Sequence, residues 1–156
     1  MKDATEKTVF ARANNIVSRL FKVRARSEYE IRTRLKEREI PDATIEKIIR
    51  ELKTHGLIDD RRFTRDWIAA RQSKPLGLHR ITFELKQKGI SDELVKSEIA
   101  FAKKSGDESN PITSLIQTYQ AKHKNMGKEE LKARIFGYLA NRGFEPEKIQ
   151  DAVEKL

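Results

Sequence analysis

The stretch Ile81-Thr82-Phe83-Glu84-Leu85-Lys86-Gln87-Lys88-Gly89-Ile90-Ser91-Asp92-Glu93-Leu94-Val95-Lys96-Ser97-Glu98-Ile99 reads as two short helices closed by a glycine turn. Ile81 and Leu85, four apart, share one helical face. Gly89 then supplies a residue able to turn left-handed, and Ile90, Val95 and Ile99 begin a second apolar face. The same offsets recur 50 residues earlier at Ile31, Leu35, Ile40, Ile45 and Ile49, and 54 residues later at Ile135, Leu139, Phe144, Ile149 and Val153. A basic residue follows each leucine by three, as Arg38, Lys88 and Arg142, and Glu39, Gly89 and Gly143 come next in the turn. A repeat of this length makes each copy one supersecondary unit that buries its apolar face within itself and against its neighbours.

Outward from this register the chain reads as nine helices, expected near 7–23, 27–38, 42–54, 59–72, 77–88, 91–104, 110–122, 128–141 and 146–155. Ser27 with Glu30 forms a capping box, and Asp42, Asp59 and Ser91 can accept first-turn amide hydrogens. Pro111 and Pro146 stand at first helical positions, while Gly56, Gly89 and Gly143 follow helical runs. No segment alternates with period two for long enough to argue a strand. The fold class is therefore all-α, three tandem three-helix repeats over 1–55, 56–105 and 106–156. The apolar-free segment Lys103-Lys104-Ser105-Gly106-Asp107-Glu108-Ser109-Asn110 reads as a linker before the third unit.

Charged and hydrophobic residues each make up 37% of the chain, which suits a thin core better than one deep core. Thirty-three Lys and Arg against 24 Asp and Glu leave +9, a balance that favours polyanionic partners, although a basic protein without an anionic ligand has the same composition. The charge is uneven. Residues 1–55 hold 14 basic and 9 acidic residues, 56–105 hold 11 and 7, and 106–156 hold 8 and 8. The first two units are thus expected to carry most anionic contacts, and the third to serve packing or reach.

Zero cysteines exclude disulfides, a thiol nucleophile and thiolate metal sites. No apolar run is long enough to span a bilayer, and Met1-Lys2-Asp3-Ala4-Thr5-Glu6-Lys7 lacks the apolar stretch of a signal peptide, so a cytoplasmic protein is expected. His55, His79 and His123 are scattered, and no metal-binding helix motif or phosphate-cradling glycine loop is present. The expectation is a binding protein, not an enzyme, with no cofactor and no metal. The carboxylates read as surface ion-pair partners, Glu28 with Arg32 and Glu84 with Lys88, four apart in the favourable order.

Candidate contact residues follow from charge and placement. Arg32 and Lys36 fall together on the helix after Ser27, and Lys86 holds the repeat position of Lys36. On the helix from Asp59, Phe63, Trp67 and Ala70 share one face, while Arg61 and Arg65 point away with Arg62 beside them, a ridge that meets a partner or faces water. Ile68 lies near that ridge and either packs on a neighbouring unit or meets a protein partner. Phe83 breaks the repeat, standing where other units place Thr33 and Gly137; packing between units is the first reading, an aromatic contact to a base or partner the second. The full set is Arg24, Arg26, Arg32, Lys36, Arg61, Arg62, Arg65, Lys74, Arg80 and Lys86, with Arg71 read first as a structural ion-pair residue.

Arg24-Ala25-Arg26-Ser27 with Glu30 and Leu35, then Gly56-Leu57-Ile58-Asp59-Asp60 with Phe63 and Arg71, then Gly77, Arg80-Ile81, Glu84-Leu85 and Lys88-Gly89-Ile90, and last Arg142-Gly143-Phe144 resemble the bacterial RecX regulatory proteins over about residues 10–155. The resemblance implies an elongated, curved array of three-helix repeats. It also implies binding to the RecA recombinase and its filament on single-stranded DNA, with modulation, mostly inhibition, of RecA ATP hydrolysis, strand exchange and co-protease function. A monomer with at most weak direct DNA binding is expected. The rival reading is a stand-alone helix-turn-helix nucleic-acid-binding protein that needs no RecA. Glu39 departs from the family's usual glycine, so its left-handed cap is open to question, with Pro41 another way to close the helix; Thr64 replaces alanine and Leu57-Ile58 the more usual Tyr-Leu.

Overall fold

The computed structural model describes residues 2–72, 74–105 and 111–156. Among the described residues there are nine helices and no strand: α1 Lys2–Val23, α2 Glu28–Glu37, α3 Asp42–Thr54, α4 Asp60–Gln72, α5 Leu78–Gln87, α6 Asp92–Ser105, α7 Pro111–Lys122, α8 Lys128–Asn141 and α9 Pro146–Glu154. The stretch expected as a linker begins inside α6, which runs to Ser105; residues 106–110 lie outside the described residues.

Each consecutive triplet of helices closes its own core. Ala13 and Val17 meet Ile31, Leu35, Ile45, Ile48, Ile49 and Leu52 in the first, and Phe63 and Ile68 meet Ile81, Leu85, Ile90 and Val95 in the second. In the third, Ile112, Leu115 and Ile116 meet Ile135, Leu139, Phe144, Ile149 and Val153. Ile31, Ile81 and Ile135, with Leu35, Leu85 and Leu139, are all fully buried, so the register read from the sequence is the register of packing. Each such side chain contributes about 2 kcal/mol by leaving water.

The turns share one closure. Arg38, Lys88 and Arg142 cap α2, α5 and α8, and the next residue is left-handed: Glu39 at φ 56°, Gly89 at 71° and Gly143 at 83°. Ile40, Ile90 and Phe144 then donate back to Leu35, Leu85 and Leu139 carbonyls at 3.1, 3.2 and 3.3 Å. Glu39 therefore does form the left-handed cap. Asp42, expected to cap α3, instead lies in its first turn behind Pro41, with no side-chain cap.

Units meet through the same joint used twice. The Lys88–Gly89 turn of the second unit seats on the start of α2, where Ser27 Oγ donates to the Lys88 carbonyl at 2.6 Å. At the equivalent place, Gly77 N donates to the Arg142 carbonyl at 2.9 Å and His79 N to the Gly143 carbonyl at 3.1 Å. A Cβ on Gly89 would strike the Tyr29 side chain, and one on Gly143 would strike the backbone of Arg80. The first unit's turn is closed from within its own unit. Its Arg38 carbonyl accepts from Arg12 Nη2 at 2.6 Å and Glu39 stays exposed, so a side chain is tolerated there. In the third unit the position of Ser27 and Gly77 falls to Leu131, inside α8, which begins a turn earlier at Lys128.

Ser27 is fully buried; it accepts from Glu30 N, closes the capping box and bonds Lys88 across the joint. Ser27→Ala removes the helix cap and the bond to the part-buried Lys88 carbonyl, so urea unfolding should report a loss of about 2 kcal/mol.

Candidate functional site

A dense cluster of charge lies at the joint between the first two units, built around Trp67 of α4. Lys88 Nζ, Arg71 and Arg24 stand 4.3, 4.6 and 5.8 Å from the indole ring, within range of its electron-rich face. Two carboxylates bind these cations. Glu30 takes Arg24 at 2.5 Å, Lys88 at 3.3 Å and Arg26 at 3.8 Å. Glu84 takes Arg71 at 2.7 Å, Arg80 at 3.3 Å and the Trp67 indole N–H at 3.0 Å. Five cations thus share two carboxylates.

Burial pushes the Glu30 carboxyl up, but hydrogen bonds from Arg24 and the Ser27 backbone, with the Arg24 and Lys88 charges, outweigh it and hold its pKa below the ordinary value. For Glu84, burial is likewise outweighed, here by Trp67, Arg71 and Arg80. Both are acceptors in place for more cations than two carboxylates can neutralise. Arg26 Nε is buried with no hydrogen-bond partner among the described residues.

Three of the expected contact residues, Arg24, Arg26 and Arg80, are brought together here. Arg71 is the ion-pair residue it was read to be, and Lys88, not among the expected contacts, joins them. The pairing of Glu84 with Lys88 along one helix does not form: the joint draws Lys88 to Glu30, 58 residues away, and Glu84 turns to α4. The Gly56–Asp60 motif serves this joint too. Asp59 Oδ1 accepts from Arg61 N and Arg62 N and caps α4, while Asp60 Oδ1 accepts from Glu28 N at 2.9 Å and caps α2 across the joint. Thr64, fully buried, donates to the Asp60 carbonyl at 2.6 Å.

Arg61 and Arg65 form no free ridge. They converge on Glu98 of α6 at 3.1 and 2.5 Å, and Glu98 is only 2% exposed. The helical wheel gives their direction around α4 correctly, but α6 packs on that side. The same packing buries Ile68 in its own unit's core rather than against a neighbour or partner. Glu98 holds the repeat position of buried Ile48, so comparing copies could have singled it out. Arg65 also lies 5.0 Å over the ring of exposed Phe101. Arg62 remains outward, only 3.9 Å from Asp66 and mostly exposed.

Arg32 binds Glu28 at 2.8 Å and also Glu46, and Lys36 lies 3.8 Å from Asp42, so neither stands apart with an uncompensated charge. Lys86 pairs with Asp92 at 3.0 Å, and Lys74 is exposed in the loop before α5. Phe83 is 54% exposed, which overturns packing between units as its role. No group of three His, Cys, Asp or Glu among the described residues could hold a metal ion, and no described helix is long and apolar enough to cross a membrane.

These features define a tandem three-helix repeat protein whose distinctive surface is charged, aromatic and concentrated at the joints between units. Its sequence matches two family models, "RecX, second three-helix domain" over residues 59–97 and "RecX, first three-helix domain" over 15–52. It is 31% identical over 140 residues to a regulatory protein RecX of Prosthecochloris aestuarii, covering 86% of each chain. Identity is 30% over 146 residues to that of Mycolicibacterium smegmatis, covering 90% of this chain and 77% of the relative. The crystal structure of RecX from Lactobacillus salivarius superposes with a TM-score of 0.79 at 16% identity, over 96% of this chain and 99% of that one. The chain belongs to the RecX family of regulatory proteins.

Proposed function

We propose that this protein is a non-enzymatic regulator that binds the RecA recombinase and its filament on single-stranded DNA and lowers RecA ATP hydrolysis, strand exchange and co-protease activity, and so acts in DNA repair, recombination and the SOS response. It works in the cytoplasm as a monomer of three units, 1–55, 56–105 and 106–156. The observation that carries the reading is membership of the RecX family together with the cation surplus around Trp67, where five basic side chains answer to Glu30 and Glu84 alone. Surplus charge speeds encounter with a polyanionic filament, and exposed Tyr29, Leu57 and Phe101 offer apolar contacts for partner choice.

Sub-stoichiometric protein should slow RecA ATP hydrolysis on single-stranded DNA. The triple variant Arg62→Glu, Lys74→Glu, Lys86→Glu, which spares the buried networks, should need roughly tenfold more protein for half-inhibition. Unchanged hydrolysis at saturating wild-type protein would overturn the reading.

A further inference from the structure

The repeat allows the two joints to be compared position by position, and their charges differ at the pair where the incoming turn meets the helix. In the first joint, Glu30 of α2 meets Lys88 of the incoming turn at 3.3 Å. The equivalent residues of the second joint are Arg80 and Arg142. An opposite-charge pair is replaced by two guanidiniums at the same repeat positions.

One acid answers them: Glu84, where the first unit has Arg34, and it is shared with Arg71. Arg142 donates to the Pro75 carbonyl at 3.2 Å and lies 4.7 Å over the Tyr138 ring. Arg80, half exposed, reaches only Glu84, a carboxylate already bound by Arg71 and Trp67. Arg80 and Arg142 line a cleft of about 510 Å³ with Leu76, Glu84, Tyr138 and Asn141, and Glu84 is the sole acid among these residues.

We propose that this cleft binds a phosphate group of a single-stranded nucleic acid, held between Arg80 and Arg142 where the first joint holds the Glu30 carboxylate. Guanidinium pairs favour phosphate oxygens because their forked N–H groups bond two at once. A chain of phosphates suits the surroundings better than a lone ion. Glu84 links Arg80 to Arg71, which stands over Trp67 beside Lys88, so the cationic strip is continuous from the second joint to the first. Phe83, exposed on α5 three residues from Arg80, offers a ring on which a base can stack. The third unit, neutral overall, thereby contributes an anion contact through Arg142. The site requires no RecA.

Binding of a labelled oligothymidine, measured by anisotropy over a salt series without RecA, tests this. Arg80→Glu removes one of the two guanidiniums and should weaken binding at least tenfold and lower the log–log salt slope by roughly 0.7 per lost phosphate. Arg80→Gln, which removes the charge without setting a second carboxylate beside Glu84, should weaken binding in the same direction while the protein stays folded by its melting curve. Lys155→Glu, with the same charge change on the C-terminal tail, should shift binding less than twofold. Equal losses in Arg80→Glu and Lys155→Glu, or no binding by the wild type, overturn the proposal. Inorganic pyrophosphate at constant ionic strength separates the phosphate sources: displacement only far above the oligonucleotide's own Kd supports nucleic acid, and displacement at matching concentrations overturns that assignment. Because RecA is absent, the outcome is independent of the ATP hydrolysis assay.

Discussion

Arg65→Glu is expected to destabilise the second unit by about 3 kcal/mol and to lower the thermal midpoint by well over 5 °C. Arg65 donates to Glu98 at 2.5 Å, and Glu98 is 2% exposed at a position where the first unit buries Ile48. Reversal leaves the buried carboxylate with Arg61 alone and sets a second carboxylate beside it. The arginine is itself half exposed, which keeps the loss below that of a wholly buried triad. Glu98→Ile should recover most of the stability in the Arg65→Glu background, because the position then resembles the first unit; a double variant as unstable as Arg65→Glu would show that the ion pair is not the cause. The consequence for functional work is direct. Reversing Arg61, Arg62 and Arg65 together would confound lost binding with unfolding, whereas Arg62, outward and only 3.9 Å from Asp66, tests surface charge by itself.

Gly77→Ala should break the joint between the second and third units. A Cβ there would overlap the Gly143 carbonyl and the Phe144 nitrogen, backbone atoms that cannot rotate away as a side-chain tip could. The approach exists because Gly77 N bonds the Arg142 carbonyl at 2.9 Å and His79 N the Gly143 carbonyl at 3.1 Å, and both bonds would be lost together. The expected cost is about 3 kcal/mol, read as loss of amide-exchange protection at Gly77, His79 and the 142–144 turn while the α1–α3 core stays protected. Gly127→Ala is the control, since nothing lies within 4 Å of a Cβ there. Equal protection in both variants would contradict the joint's geometry.

Much of the fold was legible in the sequence because its signals are local. Capping by Ser27, Asp59 and Ser91 acts within three residues, and the left-handed closures at Gly56, Gly89 and Gly143 within six. α1 alone runs clearly longer than its apolar pattern, beginning at Lys2. The ten expected contacts were chosen on charge, and charge does not say which carboxylate will be near. Arg32 found Glu28, and Arg80 found Glu84, because each pair lies four apart on one helix, while Arg61 and Arg65 found in Glu98 an acid that packing brought up.

By itself the sequence determined nine helices, their register and the three-unit repeat, because apolar periodicity and capping are written every three or four residues along one helix. Only the tertiary structure decided that Glu98 would be buried, that Glu30 would cross to Lys88 and that Arg80 and Arg142 would line one cleft. Those pairings depend on how far each helix is turned toward its neighbour and how closely one unit's turn seats on the next, and such contacts join residues 33 to 67 positions apart, as in Arg65 with Glu98 and Arg142 with Pro75. A single helix's period carries no information at that range.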